Sequence, residues 1–301
     1  MDIDAIRTFL SIAQLGGFTR AAEELHRSQP AISRRIGLIE QELGASLLER
    51  VRGGVRLTEA GRAFLPFAEA ALAAIKDGRN AVRATISKEA GDVSLALVGT
   101  LADTYIVHVL RKFSRRSKSS ALDIRTASSQ EVSDLVRRGE VTLGLRYFAD
   151  ARPEIAMRIV GRENMLVVCA PDHRLANKRV GKTELENERW IGFPATRGRE
   201  SFGHVLVRRL VVAGLEDPKI TLIDSLTAQK RLVEAGFGIA MVPESSVHDE
   251  LRLGSLAQIN APAIRTSIPI ALIHRRKGHL NTAARTLIDL LDRRTRSSGK
   301  K

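Results

Sequence analysis

The chain has 301 residues, of which 44% are hydrophobic, and a formal net charge of +14. This length predicts two or three globular domains. The single cysteine, Cys169, excludes an intramolecular disulfide. No signal peptide opens the sequence, and no apolar run approaches the roughly 18 residues of a membrane span, so we expect a cytoplasmic protein without a membrane partner.

Two helices are predicted in the first 25 residues. Apolar residues recur at helical spacing from Ile3 to Ala13, and the glycines at 16 and 17 end this first helix. A short second helix follows, with Thr19 as its predicted N-cap. Its apolar face is narrow and consists of Ala21, Ala22 and Leu25, and the small residues there would let another helix cross closely.

A third helix is predicted after the turn at His26 and Arg27. Ser28 is its expected N-cap, because a serine hydroxyl can accept a free backbone N–H of the first turn. Pro30 fits there, since first-turn N–H groups have no helical partner to lose. One face is apolar, with Ile32, Ile36, Ile39 and Leu43. The opposite face carries Gln29, Ser33 and Arg34, with Arg35 on the flank.

The polar face of this third helix suits the major groove of DNA. The groove admits one helix, whose N-terminal residues meet the base edges. Glutamine can pair with adenine through two hydrogen bonds and arginine with guanine, while serine bonds a phosphate or a base. At this point an ordinary helical hairpin with a solvated polar face is the alternative interpretation.

A short β-hairpin is predicted between Gly44, which ends the third helix, and residue 61. Val51 and Val55 flank the two glycines at 53 and 54. Three arginines surround those glycines: Arg50, Arg52 and Arg56. Arginines on such a wing can contact phosphates or a minor groove.

Residues 1–61 resemble the winged helix-turn-helix of LysR-type transcriptional regulators. The resemblance is carried by the run FTRAAEELHRSQPAISRRIGLIEQELGASLLER and by GVRLTEAG, with Leu48 standing where the family usually has Phe. It implies double-stranded DNA as a partner. The residues expected to contact DNA are Thr19, Arg20, Ser28, Gln29, Pro30, Ser33, Arg34, Arg50, Arg52 and Arg56.

The positive charge of the chain lies mostly outside this segment. Residues 1–61 hold eight arginines against eight acidic residues. One basic group lies at residues 111–118, and another in the C-terminal tail, where we expect a disordered segment at 296–301. The tail could add non-specific DNA affinity or simply solubilise the chain.

A long linker helix is predicted over residues 59–87. Its apolar residues fall close to a seven-residue repeat: Phe64, Ala68, Ala71, Ile75, Val82 and Ile86. Such a seam usually packs against a second copy of itself, although packing on its own domain is the alternative. The linker helices of the family pair, so we expect a dimer or a tetramer. RNA polymerase is a further candidate partner.

Beyond a predicted hinge at 89–92, short strands alternate with helices. Strands are expected at 93–99, 122–128 and 141–147, and in the segments IAMRIV, MLVVCAP, WIGFPA, KITLID, GIAMVP and IPIALIH. The last helix is predicted from Thr282 to Leu291. Two lobes with chain crossings near 161–163 and 265–267 fit this order.

The fold class predicted is therefore α+β and multidomain. A winged helix-turn-helix domain at 1–61 is followed by a linker helix and hinge at 62–90. An effector-binding domain at 91–295 comes next, with lobe I at about 91–162 and 268–295 and lobe II at about 163–267. This two-lobed α/β part resembles the effector-binding region of the family, itself similar to periplasmic binding proteins. It departs from the family at Thr142 and Gly144, so the resemblance does not identify the ligand.

A ligand site is predicted where the strands end. In open α/β sheets, ligands bind outside the carboxyl ends of the strands, where helix N-termini favour anions. Taken singly, each serine or threonine there could be a plain helix cap. Together with one arginine they suit a carboxylate-bearing small molecule. The candidate effector residues are Thr100, Ser128, Ser129, Arg146, Thr196 and Ser225.

The sequence gives little support for catalysis. The seven histidines show no metal-ligand spacing, and neither a GxSxG elbow nor a P-loop occurs. We expect no cofactor and no metal. A ligand-responsive regulator is the main hypothesis. The alternative is a regulator that binds DNA constitutively and uses the α/β part only for oligomerisation; an enzyme fused to a DNA-binding domain is a third.

Overall fold

The computed structural model describes residues 1–86, 91–195, 200–215 and 217–298. Its N-terminal part contains α1 (Ile3–Leu15), α2 (Phe18–Glu24), α3 (Gln29–Leu43), β1 (Leu48–Val51), β2 (Gly54–Leu57) and α4 (Glu59–Ile86). The three short helices and the hairpin enclose one apolar core. Its largest fully buried side chains are Phe9, Ile12, Ile32, Ile39 and Leu47. This winged helix-turn-helix confirms the fold class predicted for the N-terminal part.

Local chemistry sets the ends of these helices. The Ser28 hydroxyl accepts the Ala31 N–H at 3.4 Å, as predicted for the start of α3. Gly44 ends α3 with a left-handed backbone, φ 68°, which glycine adopts without steric cost. The N-cap predicted at Thr19 is wrong. The cap of α2 is Gly17, because Phe18 is drawn into the first turn where its ring packs on the core.

The wing is held against the helices by backbone contacts. Strands β1 and β2 pair antiparallel, with Arg50 opposite Val55. The Val55 N–H donates to the Gly16 carbonyl at 3.0 Å. On the other side, Glu40 of α3 accepts the N–H groups of Leu47 at 2.7 Å and Leu48 at 3.2 Å. These bonds fix the orientation of the wing relative to α3.

Helix α4 packs on the N-terminal core with its first half. The Phe64 ring lies 5.2 Å from that of Phe9, and Ala68 is only 1% exposed. These members of the predicted seam therefore contact their own chain, which was the alternative interpretation. Near the other end of α4, Val82 is 59% exposed and Ile86 79% exposed. The predicted hinge at 89–92 lies partly outside the described residues.

The second half alternates strands and helices. It contains β3 (Val93–Leu97), α5 (Ile106–Arg116), β4 (Leu122–Thr126), α6 (Ser129–Arg137), β5 (Leu143–Tyr147), β6 (Ile155–Cys169), α7 (Lys182–Glu186), β7 (Arg189–Gly192), α8 (Phe202–Val212), β8 (Lys219–Leu222), α9 (Leu226–Glu234), β9 (Ile239–Pro243), α10 (His248–Leu253), β10 (Ala257–Ile259), β11 (Thr266–Arg275) and α11 (Thr282–Ser298). Single 3-10 turns lie at Gly99–Asp103, Glu244–Val247 and Pro262–Ile264.

The strands of this half form one hydrogen-bonded path, β4-β3-β5-β11-β6-β9-β7-β8, with β10 also paired to β6. The segments IAMRIV and MLVVCAP, predicted as two strands, form the single long strand β6. Its interior Gly161 is covered by the Tyr105 ring, whose hydroxyl donates to the Val160 carbonyl. At Met165 the strand leaves β11 and pairs with β9. Strands β6 and β11 therefore connect the two groups of βα units.

Helices cover both faces of the sheet. Buried side chains of α5 and α11 pack on one face, including Phe113 and Leu287. On the other face, Val132 and Val136 of α6 pack against Ala96 of β3. Helix α11 extends to Ser298, while 299–301 lie outside the described residues, and the disorder expected at 296–301 stays a prediction. In the described ranges, no helix has the length and apolar character needed to cross a membrane.

Candidate functional site

The polar face of α3 is exposed. Gln29, Ser33 and Arg34 all lie at the surface on the side opposite the buried isoleucines. Over the described part of the chain, these three side chains make no hydrogen bond or ion pair. The neighbouring Arg35 differs, since its guanidinium lies 3.5 Å from the Asp4 carboxylate. The exposed donors and acceptors of α3 are therefore available to an external partner.

The arginines of the wing lie beside the start of α3. A concave surface of about 340 Å³ between them is lined by Thr19, Arg20, Gln29 and Arg50, among others. The Arg50 guanidinium sits over the Phe18 ring, 5.7 Å from its centroid, which restrains it by a cation–π contact. All ten predicted DNA-contacting residues are exposed: Thr19, Arg20, Ser28, Gln29, Pro30, Ser33, Arg34, Arg50, Arg52 and Arg56.

A second concave site lies where the strands end in the other half of the chain. It is a cleft of about 740 Å³. One wall comes from the ends of β3 and β5 and the start of α6, and the other from the end of β7 and the starts of α8 and α9. The structure brings Thr100, Ser128, Ser129 and Arg146 together in it, as the sequence predicted them to be close.

The other predicted effector residues either lie outside the described ranges or also cap a helix. The Ser225 hydroxyl accepts the Ala228 N–H at 3.4 Å and caps α9, while its neighbours Asp224 and Leu226 line the cleft. Ser128 also caps a helix, because it shares a capping box with Glu131 at the start of α6. Thr196 lies outside the described residues.

Arg146 is buried and already neutralised. Its Nη1 donates to the Ser133 hydroxyl at 2.5 Å and to Asp150 Oδ2 at 2.9 Å. Burial alone would raise the pKa of Asp150, but hydrogen bonds from Arg152 and Ser133 and the Arg152 charge outweigh it and lower that pKa. The carboxylate therefore stays ionised beside Arg146, so a bound anion would not meet an uncompensated guanidinium.

Two protein-family models match the two halves of the chain. A model described as "LysR substrate binding domain" matches residues 87–296, and one described as "Bacterial regulatory helix-turn-helix protein, lysR family" matches residues 3–62. The chain belongs to the LysR family. It is therefore a DNA-binding transcriptional regulator with an effector-binding domain, and not an enzyme.

Similar proteins match this LysR-family regulator over nearly their full length. ClcR of Pseudomonas putida is 27% identical, with 97% of this chain and 98% of that protein covered. The Hca operon transcriptional activator HcaR of Escherichia coli K12 is 27% identical, with 99% of each covered. Among solved structures, CbnR, described as a LysR family transcriptional regulator, is 25% identical with a TM-score of 0.68, covering 97% of this chain and 99% of that one.

The aromatic part of the LysR regulator's cleft was missed in the sequence. Phe202, at the start of α8, lies 5.8 Å from Phe148 and 5.5 Å from Phe193, measured between ring centroids. All three rings line the cleft. Phe148 and Phe193 directly follow the strands β5 and β7, so the rule that ligands bind at strand ends would have found two of them. Phe202 carries no such signal, because its position depends on the fold.

No metal site accompanies the cleft. Over the part of the chain that the structure describes, no group of three His, Cys, Asp or Glu side chains could hold a metal ion. The single cysteine is buried, which raises the pKa of its thiol to about 11. Cys169 therefore packs as a small apolar residue.

Proposed function

We propose that this regulator recognises a specific DNA sequence with α3 and its wing, and that a small organic effector bound in the cleft modulates that activity. The observation that carries the proposal is the cleft itself. It is lined from both groups of βα units and lies at the strand ends, where ligands bind in open α/β sheets. The alternative, a regulator that uses this half only for oligomerisation, does not explain why a cleft lies at the strand ends.

The DNA contacts divide by chemistry. Gln29, Ser33 and Arg34 are proposed to meet base edges, because they project from the first turns of an exposed helix. Arg52 and Arg56 on the wing, which have no ion pair within the described ranges, are proposed to contact phosphates or the minor groove. CbnR, at 24% identity and a TM-score of 0.66, has a structure described as complexed with target DNA, and it shares this fold.

The lining of the cleft defines a class of effector. Phe148, Phe193 and Phe202 offer ring faces and edges to a flat apolar body. At the start of α6, Ser128 and Ser129 lie where first-turn N–H groups and the helix dipole favour an anion. We therefore propose an aromatic acid, with its carboxylate held by α6 rather than by Arg146.

The opposite wall of the cleft carries acidic side chains, which restrict the class of effector further. Glu200 and Asp224 are carboxylates that line the cleft near the starts of α8 and α9. Carboxylates accept hydrogen bonds and repel a second anion. The effector proposed is therefore a monoacid with a hydrogen-bond donor, such as a ring hydroxyl, at its other edge.

Titration calorimetry of the full-length protein tests this effector class. Hydroxybenzoates should bind, whereas aliphatic diacids and aromatic amines should bind more weakly or not at all. Phe202→Ala should reduce the affinity of the best binder, while Phe237→Ala, the same change at an exposed phenylalanine outside the cleft lining, should not. Binding of only neutral or cationic compounds would contradict an acid effector.

Self-association through α4 is proposed as well. Val82 and Ile86 are large apolar side chains exposed on the part of α4 beyond the N-terminal core. A second copy of α4 would cover them, as in a coiled-coil seam. Sedimentation of Ile86→Asp should show smaller species than wild type. Leu253→Asp, at an equally exposed leucine of α10, is the matched control.

A further inference from the structure

Helix α6 touches both the cleft and the linker helix. Its first residues, Ser129 and Gln130, line the cleft. At its other end, Arg137 forms an ion pair with Glu69 of α4, with Arg137 Nη2 also 3.3 Å from Glu69 Oε1. Just beyond α6, the Gly139 carbonyl accepts a hydrogen bond from Lys76 of α4 at 2.7 Å. A nine-residue helix therefore spans the distance between the ligand site and the linker.

A series of charged side chains also connects the same two ends, with hydrogen-bonded ion pairs up to Asp134 and a longer ion pair from Asp134 to Arg137. From the cleft, Arg146 Nη1 lies 2.9 Å from Asp150 Oδ2, which lies 2.8 Å from Arg152 Nη2. Arg152 Nη1 then lies 2.7 Å from Asp134 Oδ1 on α6. The same Asp134 oxygen lies 3.9 Å from Arg137 Nε. Each carboxylate in this series is shared by two arginines, so moving one member displaces the next.

The network is buried at Asp150 and at Glu69, whereas Asp134, Arg137 and Arg152 between them are 20–25% exposed. The side chains of Glu69 and Asp150 are only 6% and 4% exposed. In such surroundings charged hydrogen bonds are strong, and removing one partner leaves a costly buried charge. Burial raises the pKa of Asp134, but Arg152 and Gln130 more than offset this and lower it, which keeps the carboxylate ionised in the middle of the network.

Gln130 is the point at which a ligand would meet the network. Its Nε2 donates to Asp134 Oδ2 at 2.7 Å. Its Oε1 is buried and has no hydrogen-bond partner within the described residues. An acceptor left unpaired beside a cleft is costly unless something else donates to it. Because Oε1 is buried, a hydrogen-bond donor on the effector would reach it only if the Gln130 side chain moved, and that movement would weaken the Gln130–Asp134 hydrogen bond.

We propose that α6 couples ligand binding in the cleft to the position of the linker helix, through Gln130, Asp134, Arg137 and Glu69. Arg137 and Glu69 act as positioning residues, because they set where α4, and with it the winged domain, sits against the effector-binding half. The inference rests on the cleft being the effector site, as proposed above. It assigns the coupling to a charged path rather than to apolar packing alone, and coupling of this kind requires a physical element that both sites bias.

Hydrogen exchange of the full-length protein tests the path without any effector. Gln130→Met keeps the side-chain volume but removes the donor to Asp134 at the cleft end. Glu69→Gln removes the charge at the linker end. The measurement is amide exchange across α4 in wild type, in each single variant and in the double variant. Ser129→Ala changes another residue of the cleft lining that belongs to no ion pair of the series, and it is the control.

The expected result is non-additive. Gln130→Met should raise exchange in α4 near Glu69 by about threefold or more in the wild-type background, and have no such effect once Glu69 is Gln. Ser129→Ala should leave α4 unchanged. Equal effects of Gln130→Met in both backgrounds, or no effect in wild type, would overturn the proposal. Because no ligand is used, that outcome is distinct from a failure of aromatic acids to bind.

Discussion

Arg34 of α3 offers the sharpest test of the DNA contacts. It is exposed and makes no ion pair or hydrogen bond within the described residues, so Arg34→Ala should leave the melting temperature unchanged. If its guanidinium reads a base, the variant should lose about 1–3 kcal/mol of binding free energy, or roughly 5- to 150-fold in Kd, for the preferred site only. Arg35 is the matched control, because its charge is shared with Asp4 at 3.5 Å.

The assay is fluorescence anisotropy against a duplex that the wild-type protein selects from a random pool, and against a scrambled duplex, at several salt concentrations. If Arg34 contacts a base, Arg34→Ala should weaken binding to the selected duplex and reduce the ratio of the affinities for the selected and scrambled duplexes. If Arg34 contacts only a phosphate, Arg34→Ala should weaken binding to both duplexes alike and reduce the slope of log K against log salt by about 0.9. If Arg34→Ala binds like wild type while Arg35→Ala does not, the orientation assigned to α3 is wrong.

Three further predictions concern folding and reactivity. Gly61→Ala would place a Cβ 2.0 Å from a backbone carbonyl, so urea unfolding should show a loss of about 3 kcal/mol, whereas Gly37→Ala, with open space around it, should not. For Asp134 and Asp150, hydrogen-bonding partners outweigh burial and lower the pKa below the unfolded value of 3.8. The stability that these ion pairs contribute is therefore present above pH 3.8 and is lost as the pH falls through the folded pKa values. Urea unfolding at several pH values between about 6 and 2 should show this loss, and a stability that does not change with pH would argue against these pairs. The thiol of Cys169, with a pKa of about 11, should not react with an aromatic disulfide reagent at pH 8 until the protein is unfolded, and prompt labelling of the native protein would contradict its burial.

The N-terminal part of the fold could be predicted from sequence because its determinants are local. Ser28, Pro30 and Gly44 specify the ends of α3 within one turn of chain, and the spacing of the isoleucines specifies its buried face. The sequence predicts the N-cap of α2 at Thr19, whereas the structure has it at Gly17, because the choice depends on how the Phe18 ring meets the core. Candidate N-cap residues can be recognised in a sequence, whereas the tertiary contact that decides which candidate caps the helix cannot.

Long-range pairing explains what the sequence did not show in the second half. Strand β6 runs through Gly161 because β11 pairs along most of its length, and no local pattern encodes that partner. Arg146 was correctly placed at a strand end, but its neutralisation by Asp150 depends on a turn that folds back four residues later. Likewise, no local pattern marks Glu69 of the predicted linker helix as buried, since its partner Arg137 lies on α6, far away in sequence.

The two strands β6 and β11 have a consequence for how the molecule melts. They pair over ten residues of β11, and β6 then continues directly into the ladder with β9. Neither lobe can lose its sheet without unpairing a strand that the other lobe needs. Calorimetry should therefore show the effector-binding half unfolding in one cooperative endotherm, and a ligand that clamps one lobe should raise the midpoint of both together.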